Sequence, residues 1–241
     1  MPNSFFSFKQ FTIYQDQCAM KVCTDACLFG AWSATKLSER IPNAKKILDI
    51  GAGTGVLSLM MAQGSQAYIE AIEINQMACK QANENFLASP WKSRLTVMEK
   101  SISDYKKNET YDFIISNPPF YEADLRSPDE ARTAAMHDSE LTFEVLIHAV
   151  VTNLSQNGFA TVLLPFSRIS YFKSIANDNN LFIHEMVNVR QTPAHKPFRS
   201  MILLSATPAL AEDAGDTCIH DDNRQYTPAF IKLLTPYYLN L

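Results

Sequence analysis

A short apolar run, residues 46–50 (KILDI), enters a turn carrying Gly51, Gly53 and Gly55 and leaves as the apolar segment 56–63. Glycine has no Cβ, so a strand that passes through closely spaced glycines into a helix lets the backbone approach a ligand. The alternation then repeats. Residues 68–74, 94–99, 111–116 and 158–165 read as strands, and 76–88, 141–154 and 169–178 read as helices. Two further strands, 181–190 and 199–207, follow without a helix between them, so one of them is expected to run antiparallel. The pattern predicts an α/β fold, a mostly parallel seven-stranded sheet with helices on both faces.

The first 45 residues differ. Residues 6–14 alternate well enough for a strand that 19–22 can pair with, and Thr24 and Asp25 look like the cap region of a helix over 26–37. The expected organisation is an N-terminal extension over 1–45 packed on a domain over 46–241. Residues 209–222 hold five acids and little apolar material, which suggests an exposed loop. The terminal stretch 230–241 is apolar enough to dock.

A chain of 241 residues suits one large α/β domain with small appendages. It has no apolar run of about 18 residues and no basic-then-apolar leader, so no membrane span or secretion is expected and the location is expected to be cytoplasmic. Five cysteines without a C-x-x-C pair read as reduced, mostly buried thiols, and no metal site is expected. A net charge of −4 weighs mildly against a nucleic-acid binder. The stretch 187–200 nevertheless holds Arg190, Lys196, Arg199 and His195 and no acid. By itself it reads as a solvated loop.

The glycine spacing is G-x-G-x-G, and Val56 stands where the dinucleotide fingerprint needs its third glycine. That weakens a nicotinamide or flavin reading. Glu73 ends the second strand of the alternating region, 20 residues after Gly53. At that place in a doubly wound sheet a carboxylate can accept both hydroxyls of a ribose. Asp49, two residues before the first glycine, either stabilises the turn or faces the ammonium of a methionine moiety. Phosphate would be repelled there, which favours a ligand without pyrophosphate.

The strand 111–116 ends in Asn117-Pro118-Pro119-Phe120. Two prolines after a strand make a stiff loop. That alone does not explain an asparagine at one end and an aromatic at the other. An amine conjugated to an aromatic ring is a poor nucleophile, because its lone pair is delocalised. The Asn117 side-chain oxygen and the Pro118 carbonyl can each accept one N–H, which turns the lone pair outward, and Phe120 can stack on the ring. No strong base is needed, since the nitrogen becomes acidic once alkylated. The requirement is orientation, which a rigid loop supplies.

Together D49-I-G-A-G-T-G55, Glu73 and N117-P-P-F120 resemble the amino-methyltransferases of the class I Rossmann-like fold. FKQF (8–11), MKVCTDACLFGAW (20–32), ARTAAMHDSELTFEVLI (131–147), HKPFRSMIL (195–203) and YTPAFIKLLTPYYL (226–239) extend the likeness over nearly the whole chain. They resemble the bacterial family that N6-methylates the adenine next to the anticodon of a valine tRNA. The resemblance implies S-adenosylmethionine as cofactor. Gly51, Gly53 and Gly55 are then expected along its methionine part with Asp49 at the ammonium, and Glu73 with Ile74 at the ribose. Ser101 and Ile102 are expected at its adenine, and Asn117 to Phe120 at the target base. The family commonly has an aspartate where Ser101 stands, and a hydroxyl accepts more weakly. Lys21 and Asp25 are expected to border the site.

The resemblance also turns the basic stretch toward RNA, with Lys21, Arg132, Arg190, Lys196 and Arg199 as candidate contacts, His137 beside them, and a monomeric protein acting on tRNA. Two alternatives stay open at this level. One is a glutamine N5-methyltransferase acting on a translation release factor, whose amide nitrogen is also planar. The other is a non-catalytic RNA-binding protein of the same fold, supported only by Ser101.

Overall fold

The computed structural model describes residues 3–18, 21–105, 109–118, 141–209 and 212–241. The chain opens with an antiparallel hairpin, β1 (Phe5–Ser7) and β2 (Thr12–Tyr14). Helix α1 (Thr24–Arg40) follows, then β3 (Lys46–Ile50), α2 (Val56–Gly64), β4 (Tyr68–Glu73), α3 (Gln76–Ala88), β5 (Leu95–Glu99) and β6 (Tyr111–Ser116). Later come α4 (Phe143–Asn153), β7 (Leu154–Pro165), α5 (Ile169–Asp178), β8 (Phe182–Arg190), β9 (Arg199–Ser205), β10 (Glu212–Cys218) and α6 (Pro228–Leu234).

Among the described residues one sheet has eight strands in the order β10-β8-β9-β7-β6-β3-β4-β5. Every neighbouring pair is parallel except those involving β9, which is therefore the antiparallel strand. The α/β class is as expected, but there are eight strands, not seven. The added strand is β10, from the stretch read as an exposed loop. An edge strand needs hydrogen bonds on one side only and tolerates charge on the other. Asp216 shows how the acids are used there, accepting from Asn188 at 3.1 Å and pairing with Arg190 at 2.5 Å on the neighbouring strand.

The apolar runs are buried on both faces, as parallel strands between helices must be. Ile47, Ile69, Phe113, Leu163 and Leu203 face one cluster, closed by Phe29, Leu57, Met60, Phe86 and Phe230 from α1, α2, α3 and α6. Leu48, Ile72, Ile114, Leu164 and Ile202 face the other, closed by Leu146, Ile147 and Phe172 from α4 and α5. Side chains start several helices. Asn75 accepts from Ala78 N–H at 3.0 Å before α3, and Thr142 accepts from Val145 N–H at 3.3 Å before α4.

The N-terminal pairing differs from expectation. Residues 19 and 20 lie outside the described residues, and the partner of β2 is β1. Val22 instead gives its N–H to Gln15 Oε1 at 2.8 Å. Phe8, Phe11 and Ile13 are buried in the first cluster, and Phe8 bridges Tyr238 near the C-terminus. Helix α1 starts at Thr24, with Cys23 at the cap position and no side-chain cap bond. Asp25 is no cap, because its carboxylate takes Arg199 Nε at 3.0 Å.

Candidate active site

The parallel strands end on one edge in register. Ile50 stands opposite Ile72 and Ser116, Glu73 opposite Glu99, and Ser116 opposite Val162. From β3 the chain fills one half of the sheet with β4 and β5, and from β6 it fills the other. The carboxyl edge between β3 and β6 is the topological switch point, where open α/β sheets bind ligands.

The glycine turn occupies this point. Gly51, Gly53 and Gly55 have φ of +78°, +56° and +82°. The N–H groups of Gly51 and Ala52 donate to Ile72 O at 2.8 and 3.1 Å. Glu73 completes the turn: its Oε2 accepts from Gly53 N–H and its Oε1 from Asn75 N–H, both at 2.8 Å. Among the described residues a Cβ placed on Gly53 would meet no heavy atom within 4 Å, so they leave room for a ligand at the turn.

Beneath it Asp49 is fully buried. Its Oδ2 accepts from Ser58 Oγ at 2.6 Å, and its Oδ1 has no hydrogen-bond partner among the described residues. Burial pushes its carboxyl up to about 7, with the Ser58 bonds pulling the other way.

Lys100 N–H donates to Glu73 O at 3.0 Å and brings the next segment alongside. Ser101 Oγ accepts from Ser103 N–H at 3.3 Å and starts a 3-10 turn whose Ile102 is buried. Ile74, just past Glu73, is 45% exposed. On the other side Ser116 Oγ donates to Ile50 O at 2.8 Å and joins the ends of β6 and β3. Asn117 follows, half-buried, and Pro118 is buried. The sequence therefore brings Asp49, the glycines, Glu73, Ser101 and Asn117 to one edge. Pro119, Phe120, Arg132 and His137 lie outside the described residues.

The basic stretch reaches the same edge by a different route. Because β9 is antiparallel, Arg199 pairs in register with Pro165 at the end of β7 and with Val189 on β8. Two of its three expected cations are engaged within the fold. Arg190 holds Asp216, and its Nη1 donates to His195 O at 2.6 Å. Arg199 holds Asp25, and Lys196 is exposed. Lys21 donates to Gln15 O on the glycine-turn side. There the Cys18 thiol is raised by burial and then by Glu73, while Lys21 lowers it.

Sequence reading missed Asn85. Its Nδ2 donates to Tyr14 O and to Thr54 O, and its Oδ1 accepts from Tyr14 N–H, each at 2.9 Å. One buried amide thus ties the hairpin to the glycine turn, and only an asparagine inside a helix hinted at it. Leu141 was also missed; its Cδ2 lies 3.8 Å from where a Cβ on Gly51 would be.

With this geometry in hand, comparison with known proteins is specific. Residues 30–161 match the methyltransferase small domain family. The tRNA1(Val) (adenine(37)-N6)-methyltransferases of Bacteroides thetaiotaomicron and Cytophaga hutchinsonii are 36% and 39% identical to this chain, over the whole of it and of themselves. The chain belongs to this family. The member from Tolumonas auensis is 37% identical over 98% of this chain and 97% of its own. Solved structures agree on the fold. A predicted O-methyltransferase from Agrobacterium tumefaciens superposes with a TM-score of 0.66 at 16% identity, over 90% of this chain and 99% of its own. A glycopeptide N-methyltransferase bound to sinefungin gives 0.53 at 10% identity, over 74% and 87%. The resemblance seen in the sequence therefore holds for the family and for the class I methyltransferase fold. Among the described residues no helix is long and apolar enough to cross a membrane, and no cluster of metal-ligating side chains occurs.

Proposed function

We propose that the protein transfers a methyl group from S-adenosylmethionine to the N6 amine of an adenine in tRNA, the adenine 3′ of the anticodon of a valine tRNA. The observation that carries this is the pairing of β3 with β6, which sets Asn117 and Pro118 beside the glycine turn. Neighbouring strands lie roughly 4.8 Å apart, so the group that holds the acceptor amine adjoins the turn that holds the donor.

The residues fit this cofactor. The buried Asp49 Oδ1, without a partner among the described residues, suits a cationic ammonium, and the described residues leave the glycine turn room to take a ligand against the backbone. Glu73, already fixed by two N–H groups, has lone pairs left for ribose hydroxyls. Ile74 borders the place of the ribose, and Ser101 and Ile102 that of the cofactor adenine. When bound, S-adenosylmethionine supplies an electrophilic methyl group. The chain's own part is orientation: Asn117 Oδ1 and the Pro118 carbonyl accept the two N–H bonds of the target amine. The proton lost afterwards needs no dedicated base.

The test is to incubate the protein with radiolabelled S-adenosylmethionine and unmodified total tRNA, and separately with a translation release factor. Label in N6-methyladenosine of one tRNA is the expected result. Label only in the release factor overturns the RNA assignment and keeps the tetrad chemistry. The same reading has one 27.1 kDa chain as the active unit, which gel filtration checks.

A further inference from the structure

The two halves of the carboxyl edge differ in chemistry. The β3, β4 and β5 side carries glycines and acids. The β7, β9 and β8 side carries aromatic rings and cations. Phe166 directly follows the last residue of β7 and is 40% exposed. Its N–H donates to Phe198 O at 3.2 Å, so the two residues meet through their backbones. Phe198 is anchored in turn, with its N–H on Val189 O at 2.9 Å and the Arg199 guanidinium 5.8 Å from its ring centre. Arg199 is held by Asp25 from the start of α1, and Arg190 holds the intervening loop through His195 O. The exposed Arg168, two residues past Phe166, lies 5.6 Å from the Tyr171 ring and 5.9 Å from that of Phe143.

A single exposed phenylalanine needs no explanation. This one sits at the substrate half of the switch-point edge, hydrogen-bonded through its backbone to Phe198, whose half-buried ring lies by the Arg199–Asp25 ion pair, with Arg168 and Lys196 at the rim. We infer that Phe166 and Phe198 form a stacking shelf for an unpaired nucleotide next to the one that enters at Asn117. The inference rests on the RNA reading above and deepens it. Strand spacing puts β7 and β9 about 5 and 10 Å from β6. A nucleic-acid strand advances at least about 3.4 Å per nucleotide, so the shelf lies within about three nucleotides of the target. Extruding a base from a stacked loop leaves its neighbours short of a stacking partner. An aromatic face replaces that partner whatever the base, and the cations meet the phosphates. Among the described residues, Asp25 and Asp216 near this edge are engaged by Arg199 and Arg190, and Glu144 by Tyr171.

The test compares Phe166→Ala, Phe166→Leu and Phe166→Trp in the full chain, with S-adenosylmethionine affinity by calorimetry as the check on folding. For unmodified tRNA the shelf predicts a KM about 5- to 100-fold higher in the Ala and Leu variants and near wild type in the Trp variant, with kcat little changed. In an anticodon stem–loop carrying 2-aminopurine beside the target adenine, wild-type protein quenches the probe at one neighbour and Phe166→Ala does not. A wild-type KM in Phe166→Ala, or rescue by Leu as full as by Trp, overturns the shelf. If the wild-type protein labels a release factor and no tRNA, the functional reading falls first and the shelf with it.

Discussion

The carboxylate of Glu73 holds the amide of Gly53 at 2.8 Å across the mouth of the glycine turn. Its other oxygen holds the amide of Asn75, also at 2.8 Å. Glu73 therefore shapes the turn, in addition to the role at a ribose proposed for it. An amide side chain can accept only one of those N–H groups and turns an NH₂ toward the other. Glu73→Gln is accordingly expected to lose nearly as much S-adenosylmethionine affinity as Glu73→Ala, on the order of 10- to 100-fold. Calorimetry decides it. A glutamine variant that binds like wild type rules out both roles.

Asp49 is expected to make cofactor binding depend on pH. Its carboxyl is raised from 3.8 to about 7 because it is buried. The stability linked to this group is fully present below pH 3.8, where folded and unfolded chains are both protonated, and is lost as pH rises through about 7. An ammonium placed against the ionised form offsets that loss. Affinity for S-adenosylmethionine should therefore rise as pH approaches about 7 from below, with proton release on binding. Asp49→Asn should bind weakly with a flat profile over the same range, while its cofactor-free fold gains stability at alkaline pH relative to wild type. A wild-type affinity that does not change between pH 6 and 8, a range bracketing that value of about 7, counts against the ammonium assignment.

Much of this site was legible because its parts are local in sequence. A turn with three glycines, an acid at the next strand end and a proline-stiffened strand end announce themselves within a few residues. The parts that were not legible depend on strand order. Nothing local says that Arg199 meets Asp25, 174 positions away, or which of the last two expected strands is the antiparallel one. The eighth strand was missed for a related reason. Its acids suit an exposed loop when only composition is weighed, and Asp216 suits an edge strand once Arg190 of β8 reaches it. Asn85 belongs to the same class, since its three partners come from two distant segments.

Two glycines of the turn should separate function from folding. Gly55 has φ +82°, and a Cβ there would come within 2.5 Å of the Phe86 ring, which is itself buried in the core. Gly55→Ala is expected to cost about 2–4 kcal/mol through strain and overpacking combined. In a chain of this length that lowers the melting temperature by roughly 4–15 °C. Gly53 also has positive φ, +56°, but a Cβ there meets nothing within 4 Å among the described residues. Gly53→Ala should keep most of its stability, losing about 1 kcal/mol, while the methyl group enters the space assigned to the cofactor. Thermal melts with and without S-adenosylmethionine distinguish the two. The Gly53 variant should lose the ligand-induced rise in melting temperature, and the Gly55 variant should start lower.

Asn117 tests the chemistry itself. It follows Ser116, whose hydroxyl joins β6 to β3, so its backbone position is set by the sheet and not by its own side chain. Asn117→Ala should therefore fold and should bind S-adenosylmethionine as wild type does. Transfer to tRNA should fall by about 10²–10³ in kcat, the usual loss when one preorganised hydrogen-bonding partner is removed from a reacting group. Asn117→Asp is the sharper variant. A carboxylate still accepts an N–H, and it places a negative charge beside the amine as positive charge develops on the nitrogen. If orientation by the acceptor is what matters, Asp retains more activity than Ala. If the neutral amide is required in full, as when its NH₂ must donate elsewhere in the site, Asp is as inactive as Ala. Single-turnover rates with saturating cofactor separate these outcomes. An Ala variant with the wild-type rate removes Asn117 from the mechanism.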